Sequence, residues 1–394
     1  MQKKILFLMI VLFSTISFAD NKLKSKIRSA GKEYLSSHFL NGVYMFGDDK
    51  SILLQGAKGV YSLEPKKIPL KNNQIMAIAS ATKPMTAAVI LKLQEENKLN
   101  VNDNVATYLG EDSGIWQQNI VPAWAYKVTI HNLLTHRSGL AEYFAAANID
   151  TTKQLSEIIK DIANFAATKE LLFEPGEKHH YCNTNFILLG IIIEKLKGKD
   201  LATVFQAEFF DPLNMKDTKL ISLAEAVNYQ LHPENLKYPT RYFVTPAGKQ
   251  PKFNIAKSAT IMIPFADGGV ISTTEDLIKW QRALHSGKVL SEDSYKLMTN
   301  KYYEIDTNNE MKKYVGYGIF ISELPSGETI YQHSGSALAI RSEVGYMPSK
   351  NLYYAVLSNV MNFIPKDMQD KIDMNLPVNQ LDIRYFTDHI LKSV

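Results

Sequence analysis

The 394-residue chain has a single cysteine, Cys182, so no intramolecular disulfide can support the fold. Long apolar runs are missing as well. The opening stretch Ile5 to Phe13 stops at nine residues, well short of the roughly 20 that span a bilayer. Charge of one sign is scarce: 44 Lys plus Arg stand against 40 Asp plus Glu, and two of the extra cations, Lys3 and Lys4, lie in the first four residues. This excludes the clustered basic stripe of a nucleic-acid binder. Internal repeats and low-complexity tracts are absent too, and 45% apolar content is ordinary for a globular protein. The length allows two or three domains and a core that needs no metal or disulfide staple.

Further absences narrow the chemistry. No serine has glycine at both −2 and +2, which removes the nucleophile elbow of one large hydrolase class. His-Glu-x-x-His does not occur, and the nine histidines are scattered apart from the pair His179 and His180. No glycine-rich phosphate loop is present. Metal, nucleotide and dinucleotide cofactors are therefore not expected, and neither histidine of the pair is expected to be a catalyst.

What is present begins with a leader: Lys3 and Lys4, the apolar run, then small residues Ser17 and Ala19 spaced as in a signal-peptidase site. A cleavable signal peptide over 1–19 is expected, with the remainder periplasmic or secreted and not stably inserted in a membrane. Hydrophobic periodicity predicts helices over 22–38, from Ala81 to about Leu99, over about 152–168, over Asn185–Lys197 with Gly198 as the stop, and over Leu201–Phe210. Val43–Phe46 and Ser51–Gln55 read as a hairpin. Residues 211–264 read as long surface loops. A helix capped by Thr273 or Thr274 runs to about Ser286, and a meander follows over Gly316–Ser322, Thr329–Gln332, Ile340–Met347 and Leu352–Ser358. Leu381–Leu391 closes the chain as a helix. Strands at both ends around a helical middle predict an α+β architecture, with one antiparallel sheet built from the termini and a helical lobe inserted. The expected limits are about 20–80 and 265–394 for the sheet lobe and about 81–264 for the helical lobe.

Three short motifs carry the candidate chemistry. Ser-x-x-Lys occurs at Ser29-Lys32, in a lysine-studded helix, and at Ser80-Lys83, after the apolar run Ile75–Ala79. Residues three apart share a helix face, so the second copy brings an amine to a hydroxyl. Burial and the positive end of a helix dipole both disfavour the ammonium, which suits a lysine base. Tyr181-Cys182-Asn183 sets a phenol and an amide around one short turn, a proton carrier and a two-way hydrogen-bonding group. In His333-Ser334-Gly335-Ser336, Gly335 is expected to admit substrate backbone, while a strand N–H and the Ser80 N–H are placed to bind an oxyanion. Cys182 reads as a packing residue, and Thr135–Gly139 as a helix end.

The order Ser80-x-x-Lys83, Tyr181-x-Asn183, His333-x-Gly335 resembles the class C β-lactamase and DD-peptidase family of serine hydrolases, which includes the family VIII esterases. Leu133–Leu140, Phe173–Gly176, Asp211–Thr218 and Gly268–Thr273 agree with it. The resemblance implies a β-lactamase/transpeptidase-like fold, an antiparallel sheet flanked by helices plus an all-helical lobe, acting by acyl transfer without a cofactor. It implies Ser80 as nucleophile, Lys83 as its base, Tyr181 as proton shuttle, Asn183 as a substrate-amide ligand, and the Ser80 and Ser336 N–H groups as the oxyanion hole. His333 and Gly335 complete the substrate side, and the expected substrate is a small molecule or a peptidoglycan peptide. Two departures matter. Ala339-Ile340 stands where relatives often have glycine and an aromatic residue, and a neutral His333 binds a substrate carboxylate less well than lysine does. These favour peptidase or esterase activity over efficient β-lactam hydrolysis. The alternative is a weak or inactive homologue that binds cell-wall fragments or a protein partner.

Overall fold

In a computed structural model the described residues are 21–144, 149–232, 235, 237–247, 250–256, 262–307, 311–362 and 382–394. The expected signal peptide lies outside them. Eight strands form the main sheet: β1 (Gly42–Gly47), β2 (Ile52–Lys58), β3 (Tyr303–Thr307), β4 (Lys312–Val315), β5 (Phe320–Glu323), β6 (Thr329–Ala337), β7 (Ile340–Met347) and β8 (Leu352–Ser358). They lie in the order β3-β4-β5-β6-β7-β8-β1-β2, every pair antiparallel. Amino-terminal and carboxy-terminal strands thus share one sheet, joined where Met45 pairs with Ala355.

The sheet is covered on both faces, which explains why β1 and β8 are buried along their whole length. Side chains alternate faces along a strand. Tyr44, Phe46, Tyr354 and Val356 pack with Ile27 and Tyr34 of α1 (21–37) and with Phe386 and Ile390 of the last helix (Ile383–Lys392). Val43, Met45, Tyr353, Ala355 and Leu357 point the other way. They join the larger core, which includes Leu277 and Trp280 of the Thr274–His285 helix. Thr273 caps that helix by accepting from Asp276 N, as expected.

The middle of the chain contributes α2 (Lys83–Glu95) and α3 (Asn183–Lys197), together with Leu155–Ala167 and shorter helices. Residues Thr184 to Ile193 of α3 are all buried, as befits a helix apolar on every side. It stops at Gly198 in a left-handed turn, φ 64°. None of the described helices is long and apolar enough to cross a membrane.

Four expectations need correction. α2 ends four residues early because Asn97 takes φ 56° and the Lys98 N–H returns to the Leu93 carbonyl, a left-handed stop of the Schellman type. Gly316–Ser322 is not one strand: Gly316 N–H bonds to Ile319 O in a turn with Gly318 at φ 62°, and β5 starts only at Phe320. β6 runs to Ala337, so the His333 motif lies inside a strand rather than beyond its end. Residues 211–264 also hold regular structure, namely the helix Leu223–Leu231 and the hairpin Tyr242–Ala247 with Gln250–Ile255. The helix starts at a capping box made by Ser222 and Glu225.

Candidate active site

Ser80 sits where a short strand turns into α2. Met76–Ala77 pairs with Val270–Ser272, and the Ile78 N–H continues to the Val270 carbonyl at 3.0 Å. Ala79 then takes φ 46°, and the 3-10 turn Ala79–Thr82 leads into α2. A left-handed alanine costs about 1–2 kcal/mol, so the packing around it must hold it there. Ala79 is buried, with Gly268 stacked close enough that a Cβ there would lie 3.5 Å from the Ala79 carbonyl carbon. Ser80 makes no side-chain cap for the helix. Its hydroxyl faces Lys83 instead.

Lys83 is the first residue of α2 and is fully buried. Its Nζ donates to Ser80 Oγ at 3.0 Å, to Asn183 Oδ1 at 2.8 Å and to the Asp267 carbonyl at 2.6 Å. Three acceptors satisfy an ammonium. In the neutral amine two N–H groups keep Asn183 and Asp267, and the lone pair is left for the Ser80 proton. Sequence separations of 3, 100 and 184 meet at this one nitrogen.

Asn183 opens α3. Its Nδ2 donates to Glu142 Oε2 at 3.2 Å, and its own N–H reaches the same oxygen at 2.6 Å, so a carboxylate caps the helix and turns the amide oxygen toward Lys83. Glu142 Oε1 accepts from Phe144 N at 2.8 Å. Tyr181 precedes the cap residue Cys182. Its ring stacks on His136 at 4.2 Å between centroids and lies 5.1 Å from the Lys83 nitrogen. Its hydroxyl is buried without a hydrogen-bond partner among the described residues. Cys182 N donates to His136 Nδ1 at 3.1 Å, which leaves the proton of a neutral ring on Nε2. Burial holds His136 well below the usual histidine range. The same burial pushes the Cys182 thiol up to about 12, so it is a packing group and not a nucleophile.

The wall opposite is β6. His333 is buried, its Nδ1 lies 2.7 Å from the Ser334 carbonyl, and burial followed by the Lys83 charge lowers its pKa to about 3. It is a neutral imidazole at neutral pH. Gly335 admits a close approach of the protein's own backbone. A Cβ there would stand 2.0 Å from the Ile78 carbonyl oxygen, which also accepts from Ser342 Oγ at 2.7 Å. The glycine lets β6 lie directly against the segment that presents Ser80. Ser336 is exposed and shares with Ser80 and Asn183 a cavity of about 70 Å³, whose other walls include Phe144, Met262 and Asp267.

Ser80, Lys83, Tyr181, Asn183, His333, Gly335 and Ser336, taken from three distant segments, thus gather around one cleft. The sequence reading missed three neighbours: His136, Glu142 and Asp267. Asp267 is buried, its Oδ2 accepts from Tyr143 at 2.9 Å, and burial raises its pKa to about 6 against the pull of Lys83 and Tyr143. A lone carboxylate in Phe265-Ala266-Asp267-Gly268-Gly269 was the available signal. For His136 and Glu142 the signal is spatial only. Ala339, noted as a departure, sits with Leu338 in the two-residue β6–β7 turn, at φ 67° and 45°. The buried Arg241 donates to the Leu338 carbonyl at 2.7 Å and ties that turn down.

Comparison with known proteins gives one family. A family model described as Beta-lactamase matches residues 27–376. Penicillin-binding protein 4* of Bacillus subtilis (strain 168) is 29% identical over 318 residues, 76% of this chain and 63% of that protein. The chain spans less than two thirds of the length of the curated relatives it matches. Among solved structures, D-amino acid amidase from Ochrobactrum anthropi SV3, complexed with L-phenylalanine amide, superposes with a TM-score of 0.70 at 18% identity, over 94% of this chain and 98% of that one. EstCE1, a hydrolase with promiscuous acyltransferase activity, gives 0.64 at 16% identity, over 95% and 99%. At these identities the two superpositions speak to the fold.

Proposed function

The chain belongs to the Beta-lactamase family, a family of serine hydrolases, and from that premise we propose that it cleaves a small ester or amide through an acyl-enzyme on Ser80. The observation that carries the reading is the buried Lys83 amine 3.0 Å from Ser80 Oγ. In acylation the neutral amine takes the hydroxyl proton as Oγ attacks the acyl carbon. The Ser80 and Ser336 N–H groups bind the resulting oxyanion. Tyr181 passes a proton to the leaving alcohol or amine as its bond to carbon breaks, and then activates the water that releases the acid. Asn183 holds the acyl-side amide with the N–H that Glu142 leaves free.

The substrate reading follows from charge. A buried, neutral His333 supplies no cation for a β-lactam carboxylate, which favours esters, amino-acid amides or cell-wall peptides over efficient β-lactam hydrolysis. The names of similar proteins, a penicillin-binding protein, a D-amino acid amidase and a hydrolase with acyltransferase activity, span that range. The leader pattern supports an exported enzyme. The test is p-nitrophenyl butyrate and D-phenylalanine amide hydrolysis by protein lacking residues 1–19, wild type against Ser80→Ala, with folding checked by circular dichroism. Turnover that vanishes in the variant is expected; equal turnover in both proteins refutes the assignment.

A further inference from the structure

Asp267 has no task in the acyl-transfer scheme, yet it is bound into the reacting group. Its main-chain oxygen accepts from Lys83 Nζ at 2.6 Å, its Oδ2 accepts from the Tyr143 hydroxyl at 2.9 Å, and it lines the cleft beside Ser80. Its Oδ1 is buried with no hydrogen-bond partner among the described residues. A buried carboxyl oxygen left without a donor is costly unless a nearby charge compensates. The charge on hand is that of Lys83, whose Nζ is bonded to the main-chain oxygen of the same residue.

The groups that face this pair fall on two sides. Around Asp267 are Lys83 from α2 and Tyr143 and Glu142 from the segment after Gly139. Around Lys83, besides Asp267, are the Tyr181 ring and the imidazoles His136 and His333, both of which feel its charge. Burial keeps both imidazoles neutral at neutral pH. Glu142 spends its oxygens on three N–H donors. Asp267 is the carboxylate beside the amine that keeps an oxygen without a donor among the described residues.

The geometry points to Asp267 as a positioning residue that works through Lys83: its carboxylate favours the protonated amine and so sets the pH at which the amine becomes a base. This inference rests on Ser80 and Lys83 being nucleophile and base. A negative charge stabilises an ammonium, so removing it lets the proton leave at lower pH. Burial raises the Asp267 pKa to about 6, so its carboxylate carries its charge at neutral pH and above.

The experiment is the pH profile of kcat/KM for p-nitrophenyl butyrate, wild type against Asp267→Asn. Asparagine keeps the size and still accepts from Tyr143. The ascending limb is expected to move down by at least about one pH unit, with KM little changed. A purely structural role would lower the rate at every pH and leave the limb in place, and that result overturns the inference. If Asp267→Asn does not fold, the double variant Asp267→Ala, Tyr143→Phe removes both polar partners together, and the same displacement is expected. Ser80→Ala run alongside separates the two claims. Turnover in Ser80→Ala overturns both, whereas an inactive Ser80→Ala with an unmoved limb overturns only the role of Asp267.

Discussion

Replacing Gly335 by alanine is expected to disable the site through a clash with the protein's own backbone. The added Cβ would stand 2.0 Å from the Ile78 carbonyl oxygen and 2.4 Å from Ser342 Oγ, where contacts under 3.0 Å are essentially never seen. Ser342 can turn its hydroxyl away, but Ile78 O is backbone and cannot. β6 must therefore retreat from the Ser80 segment by about 1 Å, taking Ser336 with it. A misplacement of that size costs about 100-fold in rate, and overpacking a filled interior costs about 1–3 kcal/mol. The assay pairs kcat for p-nitrophenyl butyrate with the urea midpoint of unfolding. Ser342→Ala supplies the control. Added to Gly335→Ala it should restore neither quantity, because the clash with Ile78 O remains. A Gly335→Ala protein with wild-type kcat and midpoint would refute the argument that this contact fixes the cleft.

Two further outcomes follow from the same structure. Exchanging Leu338-Ala339 for Asn-Gly should raise stability by about 1 kcal/mol, since both positions have positive φ in a two-residue hairpin turn that those residues favour; an unchanged or lower urea midpoint would contradict it. His285 is held near pKa 3 by burial. Between that value and the ordinary 6.5 the unfolded chain therefore binds a proton that the native state excludes. Its contribution is complete above pH 6.5 and is lost as pH falls, at about 1.4 kcal/mol per unit. Unfolding free energies at pH 6, 5 and 4 should accordingly fall less steeply in His285→Phe than in the wild type, and parallel lines would show that this histidine does not carry the slope.

The residues most legible in the sequence were those whose partners are close in the chain or whose type is unusual. Ser80 and Lys83 are three apart, so helix geometry alone predicted their contact, now seen at 3.0 Å. Tyr181 and Asn183 stood out by type. β7 and β8 were read to the residue, separated by the turn-forming stretch Pro348-Ser349-Lys350-Asn351. The failures have physical causes. Ser334, Gly335 and Ser336 are poor strand formers, so the end of β6 could not be read locally; it is held by pairing with β7, His333 to Val344 and Ser336 to Arg341. Pro246 lies inside a hairpin strand and hid it. Glu142 and His136 act on residues more than 40 positions away, and Arg241 reaches a turn 97 residues on. Nothing in the local pattern marks such contacts, whereas the Ser222/Glu225 capping box and the Ser291 cap of Glu292–Met298 were overlooked signals that local rules could have supplied.

The central claim is that Ser80 becomes acylated. Protein lacking residues 1–19 would be mixed with p-nitrophenyl butyrate, quenched in acid during the first turnovers, and its mass measured intact and after digestion. A butyryl adduct is expected on the peptide that contains Ser80, absent from Ser80→Ala and strongly reduced in Lys83→Met. Turnover with an adduct on another residue, or undiminished turnover by Ser80→Ala, would contradict it.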